Sequence, residues 1–243
     1  MDMDIESGAK WFAEQIKKSR VVVFSGAGLS TESGLADFRS KEGLWAHVDP
    51  MQYASVNTLE HDYESFLEFY RSRLYVPESV QPNKGHKYIA EWEAEGYVTG
   101  IITQNVDRLH QKAGSVKIAE LHGSLEPVRC HSCGKTWEKE FFLEGKKCDC
   151  GGLLRPGVVL FGEMLPDGPL RLADEWSSDC ETFVVLGSSL VVSPANYFPR
   201  QAKNSGAKLI IINRESTPLD KIADLVVHEG IGNYLEKVAG YMK

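Results

Sequence analysis

Residues 21–30 read Val21-Val22-Val23-Phe24-Ser25-Gly26-Ala27-Gly28-Leu29-Ser30, and this stretch decides the fold. Four apolar, β-favouring residues predict a buried parallel strand. Two glycines one residue apart follow, and without a Cβ they let backbone N–H groups approach a phosphate closely. The usual dinucleotide fingerprint has a third glycine or alanine where this chain has Thr31, so it is not the ordinary hydride-transfer motif. A tight turn that binds nothing is the alternative interpretation.

The composition narrows the class of protein. With 243 residues, the chain is long enough for one large domain or a domain with an insert. Its net charge of -7 argues against a protein whose main partner is the backbone of a nucleic acid. The acidic N-terminus does not resemble a secretory or transit peptide, and no apolar run approaches ~18 residues. We therefore expect a cytoplasmic protein without a membrane span.

Apolar runs alternate with helical patterns along the chain. The strands are predicted to start at Val21 and to cover 97–102, 117–121, 182–186, 208–212 and 225–227. Helical spacing of apolar residues occurs at 9–16, 63–74, 85–95, 195–203 and 234–241. This alternation predicts an α/β fold with a doubly wound, Rossmann-like parallel sheet. In such sheets the ligand binds at the carboxyl ends of the strands.

Small and polar residues follow five of the predicted strands. They are Gly26-Ala27-Gly28, Gln104-Asn105-Val106-Asp107, His122-Gly123, Gly187-Ser188-Ser189 and Asn213-Arg214-Glu215. Each group alone also fits a cap, a turn or a structural histidine. Because all five reach one edge of the sheet, they predict a ligand site there. The long polar segment 32–44, which contains Asp37-Phe38-Arg39, is interpreted as a functional loop beside it.

Four of the five cysteines form two close pairs, Cys130 with Cys133 and Cys148 with Cys150. Four thiolates complete a tetrahedral zinc shell, so the pairs predict a structural zinc ribbon. The second pair is one residue shorter than the usual spacing. Four unligated, reduced thiols are therefore the alternative. Cys180 stands at the start of a buried strand and is expected in the core.

Together these motifs resemble the sirtuins, the NAD-dependent protein-lysine deacylases. The matching segments are 26–30, 33–39, 103–110, 120–123, the four cysteines, 161–163, 187–195 and Asn213. The chain departs from the family at Ala36, where proline is usual, at Val106, where isoleucine is usual, and at the short cysteine pair. We expect a Rossmann-like domain of residues 1–125 and 155–243, with a helical insert at about 45–83, and a zinc-binding module of residues 126–154.

The resemblance implies that NAD is a co-substrate and that one zinc ion is structural. It implies these cofactor contacts: Gly26, Ala27, Gly28, Ser30, Thr31, Asp37, Phe38, Arg39, Gln104, Asn105, Val106, Asp107, Gly187, Ser188, Ser189, Asn213 and Ile231. In the implied reaction the acyl oxygen attacks the ribose carbon as nicotinamide leaves. His122 then acts as general base, with Asn105 and Asp107 as further catalytic residues. The products are deacylated lysine, nicotinamide and O-acyl-ADP-ribose.

The implied partners are acyl-lysine proteins or peptides, with no direct binding of nucleic acid or membrane. The peptide would add as a strand between 159–163 and 191–195. Implied substrate contacts are Val159, Phe161, Gly162, Glu163, Val192, Ala54, Tyr70 and Arg73. Tyr70 and Arg73 share a helix face and, with Ala54, resemble the sirtuins that remove succinyl and malonyl groups. An exposed arginine beside a core tyrosine is the alternative.

The resemblance implies a deacetylase and leaves removal of succinyl or malonyl groups open as a further activity. Two other functions stay open. A mono-ADP-ribosyltransferase would share the cleavage of NAD but pass the ribose carbon to a protein side chain. A catalytically silent NAD-binding regulatory module is the other, and the joint presence of His122, Asn105 and Asp107 argues against it.

Overall fold

The computed structural model describes residues 3–37, 43, 49–75 and 80–243. Its strands there are β1 (Val21–Ser25), β2 (Val98–Thr103), β3 (Ile118–Glu120), β4 (Gly123–Cys130), β5 (Thr136–Trp137), β6 (Leu154–Val158), β7 (Thr182–Leu186), β8 (Lys208–Ile212) and β9 (Leu225–Val227). The α-helices are α1 (Ile5–Lys18), α2 (Val56–His61), α3 (Tyr63–Tyr75), α4 (Lys84–Ala94), α5 (Leu109–Ala113), α6 (Lys139–Leu143), α7 (Asp167–Asp179), α8 (Tyr197–Asn204) and α9 (Ile231–Gly240). Short 3₁₀ helices cover Ala27–Ser33, Pro50–Gln52 and Asp220–Ile222.

A parallel sheet with the order β3-β2-β1-β7-β8-β9 confirms the predicted α/β architecture. The chain builds outward from β1 to β3 and then returns to β7 on the other side of β1. All five residues of β1 are buried, as the apolar run predicts. The direction of winding therefore reverses between β1 and β7, and a doubly wound sheet opens its ligand crevice at such a point.

Helices cover both faces of this sheet. On one face α1, α4 and α9 contribute Phe12, Trp92 and Tyr234 to a buried cluster. On the other face α7 and α8 contribute Ala173 and Phe198. Helix α1 begins where the Asp4 side chain accepts a hydrogen bond from the Ser7 N–H, which satisfies one of the unpaired donors of its first turn.

A smaller antiparallel sheet, β5-β4-β6, lies outside the parallel one. It shares a third buried cluster with α2, α3 and α6, in which Phe66 of α3 meets Phe142 of α6 edge-to-face at 6.4 Å. Cys130 and Cys148 belong to the same cluster. The domain division given above stays a proposal, and the shared core indicates that the helical insert packs on the zinc-binding module.

The packing of β2 on α7 is testable at Gly100. A Cβ built there would lie 2.6 Å from the ring of Trp176, closer than atoms can pack. We expect Gly100→Ala to lower the free energy of unfolding by about 1–3 kcal/mol in urea denaturation, the usual cost of overpacking. The matched control is Gly168→Ala in α7, where a Cβ meets no atom within 4 Å. Equal effects of the two variants would contradict this packing.

Candidate functional site

A cavity of about 650 Å³ opens at the carboxyl edge of the parallel sheet. Its floor consists of the turns after β1 and β7, Gly26–Gly28 and Gly187–Ser189. Residues after β2 and β8 form its sides, and the segment 158–163 forms a wall opposite them. The strand ends singled out in the sequence therefore do meet in one site.

The two glycine turns of the floor pack backbone against backbone. The Gly28 N–H donates to the Gly187 carbonyl at 2.8 Å. A Cβ on Gly26 would lie 2.7 Å from that same oxygen, and one on Gly187, where φ is +65°, would lie 2.2 Å from the Leu29 nitrogen. Only glycine permits this approach, which leaves a shallow, backbone-lined cradle suited to a pyrophosphate.

Asn105 is buried beside the floor and held by three hydrogen bonds. Its backbone N–H donates to Thr103 Oγ1 at 3.1 Å, and its side-chain Nδ2 donates to the Gly26 carbonyl at 3.1 Å and to Ser30 Oγ at 3.2 Å. The Ser30 hydroxyl in turn donates to Asp107 at 2.7 Å. These bonds fix the orientation of the Asn105 amide toward the cavity.

Asp107 and Ser30 lie beneath the cavity and reach it through Asn105. Burial raises the pKa of Asp107, while the bonds from Ser30 and from the Leu109 N–H oppose that shift because they stabilise the carboxylate. The predicted contacts of these two residues with the cofactor stay predictions.

His122 follows β3 and lines the cavity. Its Nδ1 lies 3.0 Å from the Gln104 carbonyl oxygen. A carbonyl can only accept, so Nδ1 carries the proton and Nε2 has the lone pair of the neutral ring. The His122 carbonyl also accepts from the Val159 N–H at 2.8 Å, which ties the histidine to the wall. The arrangement suits a base that takes a proton at Nε2.

A second buried polar group lies behind the floor. Ser25 Oγ is 2.8 Å from Thr103 Oγ1 and 2.8 Å from His110 Nε2. The rings of His110 and His86 meet edge-to-face at 5.1 Å. Burial lowers the pKa of His86 to about 4, and burial together with the nearby His86 lowers the pKa of His110 to about 3. Both imidazoles are therefore neutral at physiological pH.

The far end of the cavity is lined by Ala54, Phe69, Tyr70 and Arg73. Arg73 is half-buried, with its guanidinium 5.3 Å from the centre of the Phe69 ring. Burial lowers the pKa of Arg73 and raises the pKa of Tyr70. Arg73 is therefore half-buried in the lining of the cavity and not an exposed surface residue. Its contact with an acyl group stays a prediction.

Most of the predicted site residues line this cavity. They are Gly26, Ala27, Gly28, Thr31, Asp37, Gln104, Asn105, Val106, His122, Gly187, Ser188, Ser189, Asn213, Ile231, Ala54, Tyr70, Arg73, Val159, Phe161, Gly162, Glu163 and Val192. Phe38 and Arg39 lie outside the described residues.

Sequence reasoning missed several residues that line the cavity. They include Phe69, Leu165 and Glu229. Glu229 follows β9, so the position of that strand end could have identified it. Arg214 and Glu215 follow β8 and line the cavity, as the strand-end pattern predicts. Glu32 accepts from the Gly232 N–H at 3.0 Å and so joins the floor to the start of α9. No sequence pattern indicates that contact.

The four cysteines of the two pairs converge, with all their sulfur atoms within 4.8 Å of one another. Cys130 to Cys150 and Cys133 to Cys148 are each 3.6 Å apart, close to the edge of about 3.8 Å that a tetrahedron with Zn–S bonds of about 2.3 Å requires. Gly151, at φ +82°, allows the tight turn that follows the short pair. The cluster fits a structural zinc ion with a closed shell of thiolates.

Comparison with known proteins gives the family. The model of the Sir2 family matches residues 26–194. The chain belongs to the Sir2 family. It is similar to an NAD-dependent protein deacetylase of Halalkalibacterium halodurans, 48% identical over 229 residues that cover 93% of this chain and 95% of the relative.

Two solved Sir2 structures support the same assignment. A Sir2 homologue mutant in complex with ADP-ribose aligns with a TM-score of 0.91 at 39% identity, covering 96% of this chain and 95% of that one. A complex described as Sir2, p53 peptide and NAD+ aligns with a TM-score of 0.86 at 36% identity, covering 95% and 97%. In the described part of this Sir2 chain no helix is both long and apolar enough to cross a membrane.

The zinc assignment is testable at the short cysteine pair. We expect about one equivalent of zinc in the purified protein by elemental analysis. Cys150→Ser should lower this content and the melting temperature, because three thiolates leave the metal shell open. Cys180→Ala, which removes a buried thiol far along the chain from the cluster, should keep the zinc. Less than about half an equivalent in the unaltered protein would contradict a tetrathiolate site.

Proposed function

We propose that this cavity holds NAD across its glycine floor and acyl-lysine along its wall, and that the products are deacylated lysine, nicotinamide and O-acyl-ADP-ribose. The chain is an NAD-dependent protein deacetylase of sirtuin type, as its family and its named relatives indicate. The position of His122 carries the proposal. Its imidazole faces the same cavity as the glycine floor and Asn105, and its backbone is bonded to the wall.

The residues of the floor fit NAD. The pyrophosphate would lie over Gly26–Gly28 and Gly187–Ser189, where the glycines leave the backbone open to a close approach. Gln104, which donates to Ser188 Oγ at 2.8 Å, and Asn105 would orient the nicotinamide ribose. The adenosine ribose would lie near Asn213. When bound, NAD supplies an electrophilic ribose carbon and the neighbouring hydroxyl groups.

The chain's own residues supply proton transfer and positioning. With NAD bound, His122 would accept a proton at Nε2 from a ribose hydroxyl and so raise the nucleophilicity of that oxygen. The Gln104 carbonyl, as acceptor of the Nδ1 proton, fixes the tautomer and stabilises the imidazolium that forms. Asn105 keeps its orientation because Gly26 and Ser30 accept from its amide. These hydrogen bonds would hold both groups in place before proton transfer.

The acyl end of the cavity supports removal of acidic acyl groups as well as acetyl. Ala54 leaves room, and Tyr70 and Arg73 line the same end. A guanidinium binds a carboxylate with two parallel hydrogen bonds, so Arg73 would recognise the distal carboxylate of a succinyl or malonyl group. Substrates are proposed to be acyl-lysine peptides or proteins. Neither the transferase nor the silent module is favoured by a feature of this site.

The role of His122 predicts a specific loss. His122→Ala should lower the rate of deacetylation about 10²–10⁴-fold, the usual contribution of a general base. Binding of NAD, measured by calorimetry, should change little because the floor is intact. His131→Ala, a histidine of the zinc-binding module that contacts Glu60 instead, is the control and should stay active. Full activity of His122→Ala would overturn the assignment.

Arg73 is tested by the choice of acyl group. In a mass-spectrometric assay with acetyl- and succinyl-lysine versions of one peptide, each with and without NAD, Arg73→Met should lower desuccinylation at least about tenfold, because a charge-assisted hydrogen bond is lost. Deacetylation should be kept.

Arg71→Met is the matched control for this experiment, since Arg71 donates to the Leu143 carbonyl and does not line the cavity. Parallel loss of both activities in Arg73→Met, or cleavage of the acetyl peptide alone by the unaltered enzyme, would contradict the acidic acyl specificity.

A further inference from the structure

Arg155 in β6 is a buried charge that the reaction described above does not use. Its side chain is 1% exposed. Nη1 and Nη2 donate to the two carboxylate oxygens of Glu163 at 2.6 and 2.9 Å, and Nη2 also donates to the Val158 carbonyl at 2.5 Å. Such a two-bond pair fixes both orientation and distance. We call this pair of hydrogen bonds between Arg155 and Glu163 the fork. It connects β6 to the far end of the wall, at Glu163.

Glu163 also accepts a hydrogen bond from within the wall. It accepts from the Leu160 N–H at 2.7 Å. Burial alone raises the pKa of Glu163, but the bonds from Arg155 and Leu160 outweigh it and hold that pKa below its ordinary value. Glu163 is therefore a carboxylate that lines the cavity while its charge is held by Arg155.

The wall between these residues contacts the two functional ends of the cavity. The Val159 N–H donates to the His122 carbonyl at 2.8 Å, and the Phe161 N–H donates to the Ala54 carbonyl at 2.9 Å. One short irregular segment thus contacts both the proposed base and the proposed acyl pocket. Residues 159–163 lie outside the regular strands, so these two backbone bonds and the Arg155–Glu163 pair at the far end are the contacts that hold the segment.

The charges of the fork also reach the acyl end. Arg73, Arg155 and Glu163 all act electrostatically on the Tyr70 hydroxyl. A carboxylate on the acyl chain would meet one positive group in Arg73 and one negative group in Glu163. Because Arg155 neutralises Glu163, the set keeps a net positive charge.

We propose that Arg155 is a positioning residue that acts through Glu163, fixing the wall for acyl-lysine and shielding the acyl pocket from the Glu163 charge. The inference rests on the proposed function of this cavity. Arg155 would then have two effects. It would strengthen the binding of every acyl-lysine peptide, and it would favour acidic acyl groups.

The test uses steady-state kinetics of the full-length enzyme with acetyl and succinyl peptides, together with binding of NAD. Arg155→Met should raise the KM for the acetyl peptide about tenfold and leave NAD affinity nearly unchanged. It should also lower the succinyl-to-acetyl ratio of kcat/KM. Glu163→Gln, which leaves Arg155 without its countercharge, should raise that ratio.

The double variant Arg155→Met with Glu163→Gln separates charge from positioning and avoids an unpaired buried carboxylate. It has the same net charge at the acyl end as the unaltered enzyme but lacks the fork. The selectivity ratio should return toward the original value, while the KM for the acetyl peptide stays high. Thermal denaturation checks that each variant is folded.

The control is Arg129→Met. Arg129 is exposed, lies opposite Arg155 in the β4–β6 pair, and also acts on Glu163 by its charge without joining the fork. It should leave both kinetic measures nearly unchanged. An unchanged peptide KM in folded Arg155→Met, or equal loss of NAD and peptide binding, would overturn the proposal.

A wild-type enzyme that never cleaves the succinyl peptide contradicts the acidic specificity and, with it, the shielding role of Arg155. The KM for the acetyl peptide then decides separately whether Arg155 positions the wall.

Discussion

The contact between the glycine turns after β1 and β7 is the constraint on which the site depends. These strands are neighbours at the point where the sheet reverses its winding, so their turns must share the space above the sheet edge. They can do so only as bare backbone, with Gly28 bonded to Gly187. Asn105 then takes its orientation from Gly26 in the same floor. The glycine turns and the Asn105 amide are thus one hydrogen-bonded assembly.

The wall on the opposite side of the cavity is held by hydrogen bonds, two of them between charged side chains. The wall begins at the end of β6 and continues through residues 159–163, which lie outside the regular strands. Backbone bonds from Val159 and Phe161 hold its middle, and charge-assisted hydrogen bonds between Arg155 and Glu163 hold its far end. Strand β6, which contains Arg155, belongs to the antiparallel sheet beside the cysteine cluster. That sheet therefore sets the position of Arg155 next to the wall. The smaller sheet contributes to the site through geometry, although its cysteines do not line the cavity.

The strands of the parallel sheet could be predicted because buried parallel strands are short, continuous apolar runs, as at 182–186 and 208–212. Because ligands bind at the carboxyl ends of parallel strands, the sequence also predicts that Gly26, Asn105, His122 and Ser188 lie together. Arg155 could not be found in that way. Its partner is eight residues away across an irregular turn, and the apolar run 158–161 suggests an ordinary core strand. The sequence pattern does not indicate helix α7, because Gly168 and Pro169 interrupt its apolar spacing.

The neutral pair of His86 and His110 behind the floor has a consequence for proton linkage. In the unfolded chain both imidazoles bind protons at their ordinary pKa of about 6.5, whereas in the folded chain they do so only near 4 and 3. Between the ordinary pKa and these lowered pKa values the unfolded state binds more protons than the folded state, so acid favours unfolding. This contribution to stability is fully present above about pH 6.5 and declines as the pH falls. The packing behind the glycine floor therefore makes the stability of the fold sensitive to acid, separately from the titration of any group in the cavity.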